Sequence, residues 1–261
     1  MRKILVSALV FAAACGPKAD DAAEAKKVAD STAAAMAAAT PAPPPAPAGP
    51  QAIVTVIYTQ PKDAKAFEKY YSETHVPLVG ASQAEVGFTK AELTKFTSDF
   101  AGKKPAYYRQ AELYFPNMDA LKKGTATEAF KKIGADLDNF AKGGYIALIA
   151  TETGDKRAGD CPVLASVLYK QPKDAAAFEA YYPGHLKLVV PAIGMTGADL
   201  TKFESNLDGT TPAALYRQAE LCFATTDDVK KGMATAEFKA VGADLPKFAT
   251  GGLVTLIGEQ K

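Results

Sequence analysis

Tryptophan is absent from this 261-residue chain, cysteine occurs three times and histidine twice. Any aromatic surface must therefore come from the 11 Tyr and 13 Phe. Formal net charge is +1, from 30 Lys and Arg against 29 Asp and Glu. That balance gives no electrostatic case for nucleic acid, an anionic membrane surface or a polyanionic substrate. No apolar run approaches the ~20 residues a transmembrane helix needs. No Cys/His pair has zinc-ligand spacing, neither a GxGxxG-type nor a Walker-type phosphate loop occurs, and no Ser, His and Asp arrangement can be recognised. No metal and no cofactor is expected. What is present is 48% hydrophobic and 23% charged residues, a soluble globular balance, in a length that allows one or two domains.

The N-terminus reads as an address. Met1-Arg2-Lys3 is a short basic head before the apolar run Ile4 to Phe11, a stretch of signal-peptide length. Ala12-Ala13-Ala14 then leads into Cys15. Small residues before a Cys here resemble a bacterial lipobox, with Ala12 where the pattern usually has Leu. The resemblance implies cleavage after residue 14 and lipidation of Cys15, a lasting anchor if the Cys is multiply acylated. Gly16 rather than Asp follows, which in that sorting pattern implies the outer membrane, facing periplasm or surface. Residues 15–50 form an Ala- and Pro-rich tether ending in Pro41 to Pro50, an extended spacer that cannot bury a core.

The remainder is one unit present twice. Tyr58-Thr59-Gln60-Pro61-Lys62-Asp63-Ala64 matches Tyr169-Lys170-Gln171-Pro172-Lys173-Asp174-Ala175, and Phe67, Tyr70 and Tyr71 match Phe178, Tyr181 and Tyr182. Leu93-Thr94-Lys95-Phe96, Tyr108-Arg109-Gln110-Ala111-Glu112-Leu113, Gly134-Ala135-Asp136-Leu137 and Gly143-Gly144 all recur about 110 residues later. The period is too long for a solenoid, so each copy is a domain, 51–151 and 161–258, joined by a polar connector. Each reads β-α-β-β-α-β, the ferredoxin-like split βαβ, an α+β class. Phe67, Tyr70, Tyr71 and Thr74 share one face of the first helix, and Asp119 and Asp227 are placed to cap the second. Such a sheet carries helices on one face only. Packing the two sheets together covers both open faces within one chain, as an intramolecular α+β barrel, and predicts a monomer.

Strand-one Tyr, the Pro-Lys-Asp turn, Phe-x-x-Tyr-Tyr, a following His, Ala-Glu-Leu-Tyr-Phe and Ala135-Asp136-Leu137-Asp138-Asn139-Phe140 together resemble the EthD family of the dimeric α+β barrel superfamily. The resemblance covers residues 53–150 and 163–257; the second copy departs at Cys222, Pro246 and Pro183-Gly184-His185. It implies the fold. The superfamily includes cofactor-free monooxygenases, isomerases and haem enzymes, so the resemblance leaves the chemistry open.

Several residues stand out as site candidates. His75 and His185 each lie four residues after a Tyr of the first helix (Tyr71 and Tyr181), on its aromatic face. A neutral imidazole there is a general base or ligand group; the alternative is a His bonded to a last-turn carbonyl and packed on Tyr. Tyr58, Tyr71, Tyr169 and Tyr182 are taken as ligand contacts beside them. By strict alternation Tyr108, Gln110, Glu112 and Tyr114, like Tyr216, Gln218 and Glu220, point into the space between the sheets. There polar groups must find partners or bind something, and Glu112 or Glu220 could act as acid or base. Arg109 and Arg217 lie on the opposite parity and are expected to reach solvent from the strand end. Cys161 starts strand one and Cys222 ends strand three, antiparallel neighbours in this topology, so the pair reads as a disulfide outside the cytoplasm. The leading expectation is an exported binding module for a small apolar or aromatic molecule held between sheet and helices. A cofactor-independent oxygenase or isomerase and a ligand-free structural lipoprotein are the alternatives.

Overall fold

The computed structural model describes residues 49–154, 160–189 and 194–260. The signal segment 1–14, Cys15 and the tether up to residue 48 lie outside them. In the first copy β1 (Ala52–Thr59) runs into a helical segment made of α1 (Ala64–Tyr70), a π-helical turn (Tyr71–His75), α2 (Val76–Ala81) and α3 (Gln83–Val86). Next come β2 (Lys90–Ser98), β3 (Tyr107–Phe115), α4 (Met118–Thr125), α5 (Glu128–Phe140) and β4 (Tyr145–Glu152). The second copy repeats this with β5 (Val163–Tyr169), α6 (Ala175–Val189), β6 (Gly197–Asn206), β7 (Arg217–Phe223), α7 (Thr226–Ala234), α8 (Ala236–Asp244) and β8 (Leu253–Gln260).

The eight antiparallel strands close into a barrel in the order β1-β3-β2-β8-β5-β7-β6-β4, with β4 returning to β1. Each copy supplies four consecutive staves. The two seams, β2 with β8 and β4 with β6, are inter-copy backbone ladders. The sheets therefore join edge to edge, which leaves no unpaired strand edge. Alternation then assigns side chains. Ile53 and Ile57 point inward with Phe96, Leu148, Leu164, Leu168, Phe203 and Leu256 to fill the barrel. Ala52 and Val54 face the helices in one layer with Phe115, Leu121 and Ile133, while Tyr58 joins Phe67, Tyr71, Leu137 and Phe140.

Local chemistry sets the ends of the helices. Asp63 accepts from the Ala66 N–H to start α1, at 2.9 Å. The expected caps at Asp119 and Asp227 are displaced by two residues: Asn117 accepts from Ala120 N and Thr225 from Asp228 N, which puts both aspartates in the first turn. There they face the positive end of the helix dipole instead of closing it. The Gly143-Gly144 turn before β4 needs both glycines. A Cβ on Gly143 would sit 2.7 Å from the Gln60 carbonyl oxygen, and Gly144 adopts φ +101°. Gly251 and Gly252 repeat the device against Gln171. Cys161 and Cys222 are joined by a disulfide, with Cα atoms 5.2 Å apart. Tyr114, at the position of Cys222, instead fills the first copy's end of the barrel and donates to Glu92.

Candidate functional site

The first helix of each copy carries the His, and the two copies deliver it differently. Tyr71 to His75 is four residues, whereas Tyr182 to His185 is three. The first copy absorbs the extra residue in its π-helical turn, leaving Ser72, Glu73 and Thr74 exposed and His75 buried. A π-turn accommodates one added residue without breaking the helix. That is why Thr74, expected on the aromatic face from spacings of three and four, points to solvent, while His75 lies on that face as expected. His185 reaches the equivalent place along a continuous helix that passes through Pro183.

Both histidines are held the same way. His75 Nδ1 lies 2.8 Å from Asp136 Oδ2, and Asp136 Oδ1 accepts from Tyr70 Oη at 2.7 Å and Asn139 Nδ2 at 2.9 Å. His185 Nδ1 lies 2.9 Å from Asp244 Oδ2, whose other oxygen accepts from Tyr181 at 2.7 Å and faces Lys247 at 2.9 Å. The partner is thus an aspartate from the second helix, not a last-turn carbonyl. The rings also pack on aromatics: His75 is 4.7 Å from Phe140 and 5.7 Å from Tyr71, centroid to centroid.

Burial lowers the His75 pKa, a pull that the Asp136 hydrogen bond only partly offsets, and His185 behaves likewise beside Asp244. Burial tends to raise the Asp136 pKa, but hydrogen bonds from Asn139, His75 and Tyr70 outweigh it and hold the carboxyl below its usual range. In Asp244 the Lys247 contact leads the same downward shift. At neutral pH each pair is therefore a neutral imidazole against a carboxylate. The ring proton sits on Nδ1, donated to the aspartate, and Nε2 carries the lone pair.

His75 lines a cavity of about 190 Å³ between the first copy's sheet and helices. Its floor is Val54, Val56, Ala111 and Leu113 of the sheet, its roof Val76, Val79, Ile133 and Leu137, and Tyr58 and Tyr71 stand beside the His. The second copy has the counterpart, about 80 Å³, beside His185 and Tyr169. Each cavity also takes one side chain from the other copy. Leu207, from the β6–β7 loop, reaches the first, and Phe100, from the β2–β3 loop, reaches the second.

Strand-three residues divide between two chambers. Gln110, Glu112, Gln218 and Glu220 point into the barrel as expected and are buried there. Gln110 Nε2 donates to Glu220 Oε1 at 3.1 Å, and Gln218 Nε2 to Glu220 Oε1 at 2.8 Å and Ser166 Oγ at 3.2 Å. They lie across the sheet from the histidines, and none of them lines the cavity beside either one. Among the described residues, Glu92, Asp199 and Glu220 are the group whose carboxylate oxygens, all within 4.8 Å of one another, have the spacing to share a cation.

Tyr108 and Tyr216 do not face the barrel. In the second copy Tyr216 precedes β7, where Leu215 packs inward and Tyr216 turns to the helices. In the first copy the register slips between Tyr58 and Thr59, so Tyr107 packs inward while Tyr108 turns to the helices. Strict alternation fails at such a bulge. Tyr108 Oη donates to Glu68 Oε1 at 2.7 Å, as Tyr216 does to Glu179 at 2.6 Å. Arg109 and Arg217 are not at the solvent either. Each forms a two-pronged contact with the same glutamate, at 3.0 and 2.5 Å for Glu68 and 3.0 and 2.6 Å for Glu179, and lies over Tyr71 or Tyr182 at 4.9 and 5.0 Å. Burial tends to raise the Glu68 pKa, yet hydrogen bonds from Arg109, Tyr108 and Lys95 bring it down to about 2. Glu68, Glu179, Asp136 and Asp244 were not among the sequence candidates. Their signal was the repeat itself, since Phe-Glu and Gly-Ala-Asp-Leu occur in both copies.

Comparison with known proteins agrees with this geometry. The EthD domain model matches residues 59–144 and again 170–252, together more than half of the chain. A curated protein of Rhodococcus erythropolis, an uncharacterized 11.0 kDa protein in the thcB-thcC intergenic region, is 32% identical over 99 residues, 38% of this chain and 92% of its own length. Among solved structures, an anthrone oxidase-like protein aligns over 83% of this chain and 94% of its own, with TM-score 0.55 and 13% identity. A candidate monooxygenase of Fusobacterium nucleatum covers 82% and 93%, with TM-score 0.54 and 11% identity. At those identities the likeness is one of fold. The chain belongs to the EthD family, with two copies of the domain in tandem.

Proposed function

We propose that the first copy binds a small aromatic molecule carrying one hydroxyl, held in the cavity against His75. The observation that carries this reading is an almost wholly apolar chamber of about 190 Å³ with a neutral, aspartate-held imidazole in its wall. A dry apolar cavity of ~150 Å³ is enough to take up benzene. This one therefore suits a single substituted ring, and Nε2 offers one acceptor for a hydroxyl. The test is titration of the full chain with p-cresol by calorimetry. One molecule is expected to bind. In Ala111→Leu, which fills the cavity from the sheet side, affinity is expected to drop at least tenfold. No binding to the folded chain would favour a purely structural role.

A second reading, catalysis, is favoured by the His75–Asp136 pair. Nε2 would take a proton from the bound hydroxyl or from an acidic C–H, and the imidazolium formed would be stabilised by Asp136. That step suits an isomerase or a cofactor-independent oxygenase. Deuterium uptake into ring positions of a quinol-like ligand in D₂O, lost in His75→Gln, is its signature.

The same proposal includes export and lipid anchoring at Cys15. Its support is the basic-apolar-small-Cys order of residues 1–15 and a disulfide, which belongs in an oxidising compartment. No described helix is long and apolar enough to cross a membrane. Radiolabelled palmitate incorporation that disappears in Cys15→Ser tests it; equal labelling of the variant would overturn it.

A further inference from the structure

The two cavities are built from matching residues yet differ in size, about 190 against 80 Å³. Tyr58, Ala111, Leu113, Gly134 and Leu137 become Tyr169, Ala219, Leu221, Gly242 and Leu245. Where matched described positions differ, the changes largely cancel or enlarge the second chamber. Leu186 for Val76 adds a methylene, Val241 for Ile133 removes one, and Ala165 for Val54 removes two. The change that adds a whole ring is Phe100 for Leu207, and neither residue belongs to the copy whose cavity it enters.

The exchange follows from the barrel seams. β2 ends beside β8 and β6 ends beside β4, so each following loop starts next to the other copy's sheet. Phe100 N–H then lies 3.4 Å from Thr255 Oγ1 of β8, and Leu207 N–H donates to the Ala147 carbonyl of β4 at 2.9 Å. From there the Phe100 ring packs on Phe238, 5.8 Å between centroids, in the roof over the second cavity.

We infer that the second copy holds a latent binding site for the same class of ligand, a singly hydroxylated ring, closed by Phe100 from the first copy. The inference rests on the reading of the first cavity as a ligand site. The His185–Asp244 pair is intact beside the closed chamber and offers the same Nε2 acceptor. Phe100 and Leu207 thereby set how many molecules the chain binds, and in which half.

The full chain and its Phe100→Ala variant are titrated with p-cresol, and crystals soaked in p-cresol locate the bound molecules. One site in the wild type and two in the variant, the second beside His185, is the expected result. One site in both, two in both, or none in both overturns the inference. No binding to the wild type but one molecule beside His185 in the variant would uphold the role of Phe100 while removing the function proposed for the first copy. Should Phe100→Ala fail to fold, Leu207→Phe provides the reciprocal test. It is expected to weaken p-cresol binding to the first copy at least tenfold with the circular dichroism unchanged. Unaltered affinity in that variant overturns the inference.

Discussion

The two halves of this barrel keep the same half-buried ion pairs and the same His–Asp pairs while differing in what surrounds them. The first has an open chamber, a π-turn and no disulfide. The second has a narrow chamber, a continuous helix through Pro183 and the Cys161–Cys222 bridge. Features held in common pair charged or polar groups that their surroundings would otherwise leave without a partner. Arg109 and Arg217 are each covered by a helix and meet their glutamate there, as each His meets its aspartate. What differs sits at loops, helix spacing and cavity walls, where one residue can change without unpairing a buried charge. The difference between halves therefore concerns cavity size more than architecture.

The largest way to break this comparison is to remove the feature that only one half has. For a 61-residue separation, the disulfide's restriction of the unfolded chain is worth about 4 kcal/mol. In Cys161→Ser/Cys222→Ser, the urea midpoint is expected to fall accordingly. Because both seams are backbone ladders, the halves are expected to unfold together, in one transition monitored by far-ultraviolet circular dichroism. Two separated transitions would show that the halves are independent and that the closed barrel does not couple them.

Next comes a feature the halves share. Glu68→Ala leaves Arg109 half-enclosed without its carboxylate, and Glu179→Ala does the same to Arg217. Removing one partner of a buried pair costs about 3–5 kcal/mol, and partial exposure of both glutamates brings the expectation to about 2 kcal/mol each. Adding Arg109→Met to Glu68→Ala should recover most of the loss, since the unpaired charge goes with it. Unequal costs in the two halves would mean that Lys95, which also contacts Glu68, matters more than the shared geometry suggests.

How much of this could be read from the chain depends on range. Strand order, the two copies and the Cys161–Cys222 bridge follow from patterns of period two and from the repeat, because each is set by local alternation or by topology. Tyr108 and Tyr216 turn to the helices against the alternation, Tyr108 because a bulge resets it at one residue and Tyr216 because it lies just before β7 begins, and nothing in Tyr-Tyr-Arg or Leu-Tyr-Arg marks either. His75 lies on the aromatic face as expected, but Thr74 does not share it, because a π-turn is invisible to a count in steps of three and four. Arg109 was expected at the solvent because its glutamate comes from a helix 41 residues away. Apart from the helix caps, found two residues before Asp119 and Asp227, the departures fall where one residue is added, where a strand begins, or where a partner comes from a distant element.

The pH dependence sharpens the comparison further. Both histidines have folded pKa values lowered below the ~6.5 of an unfolded chain. Between the two values the unfolded state holds more protons, so stability falls as pH drops through about 6.5 and levels off below the folded pKa. Asp136 and Asp244 are depressed carboxyls, whose contribution is present above ~3.9 and is lost as pH falls toward their folded values. Urea midpoints for His75→Gln/His185→Gln should therefore be flatter than wild type between pH 7 and 5, with the decline below pH 4 retained. An unchanged slope between pH 7 and 5 would mean that the rings are not held neutral.

The smallest expected effect tests the π-turn. Ser72, Glu73 and Thr74 are exposed, and the second copy performs the same task with one residue fewer between Tyr and His. Deleting Glu73 should collapse the π-turn to an ordinary helical turn. Tyr71 and His75 would then have the spacing of Tyr182 and His185, with the Asp136 contact intact. The stability cost should stay near that of an ordinary surface change, roughly 0.5 kcal/mol. The His75 Nδ1–H resonance, hydrogen-bonded to Asp136, should persist at low field in the proton spectrum. Deleting Gly184 instead removes a residue from a helix that has none to spare, so His185 should swing away from Asp244 and its resonance should disappear. Loss of both signals would show that the π-turn is required to place the imidazole. Loss of only the second would show it to be an inserted residue that the first copy carries without changing its site.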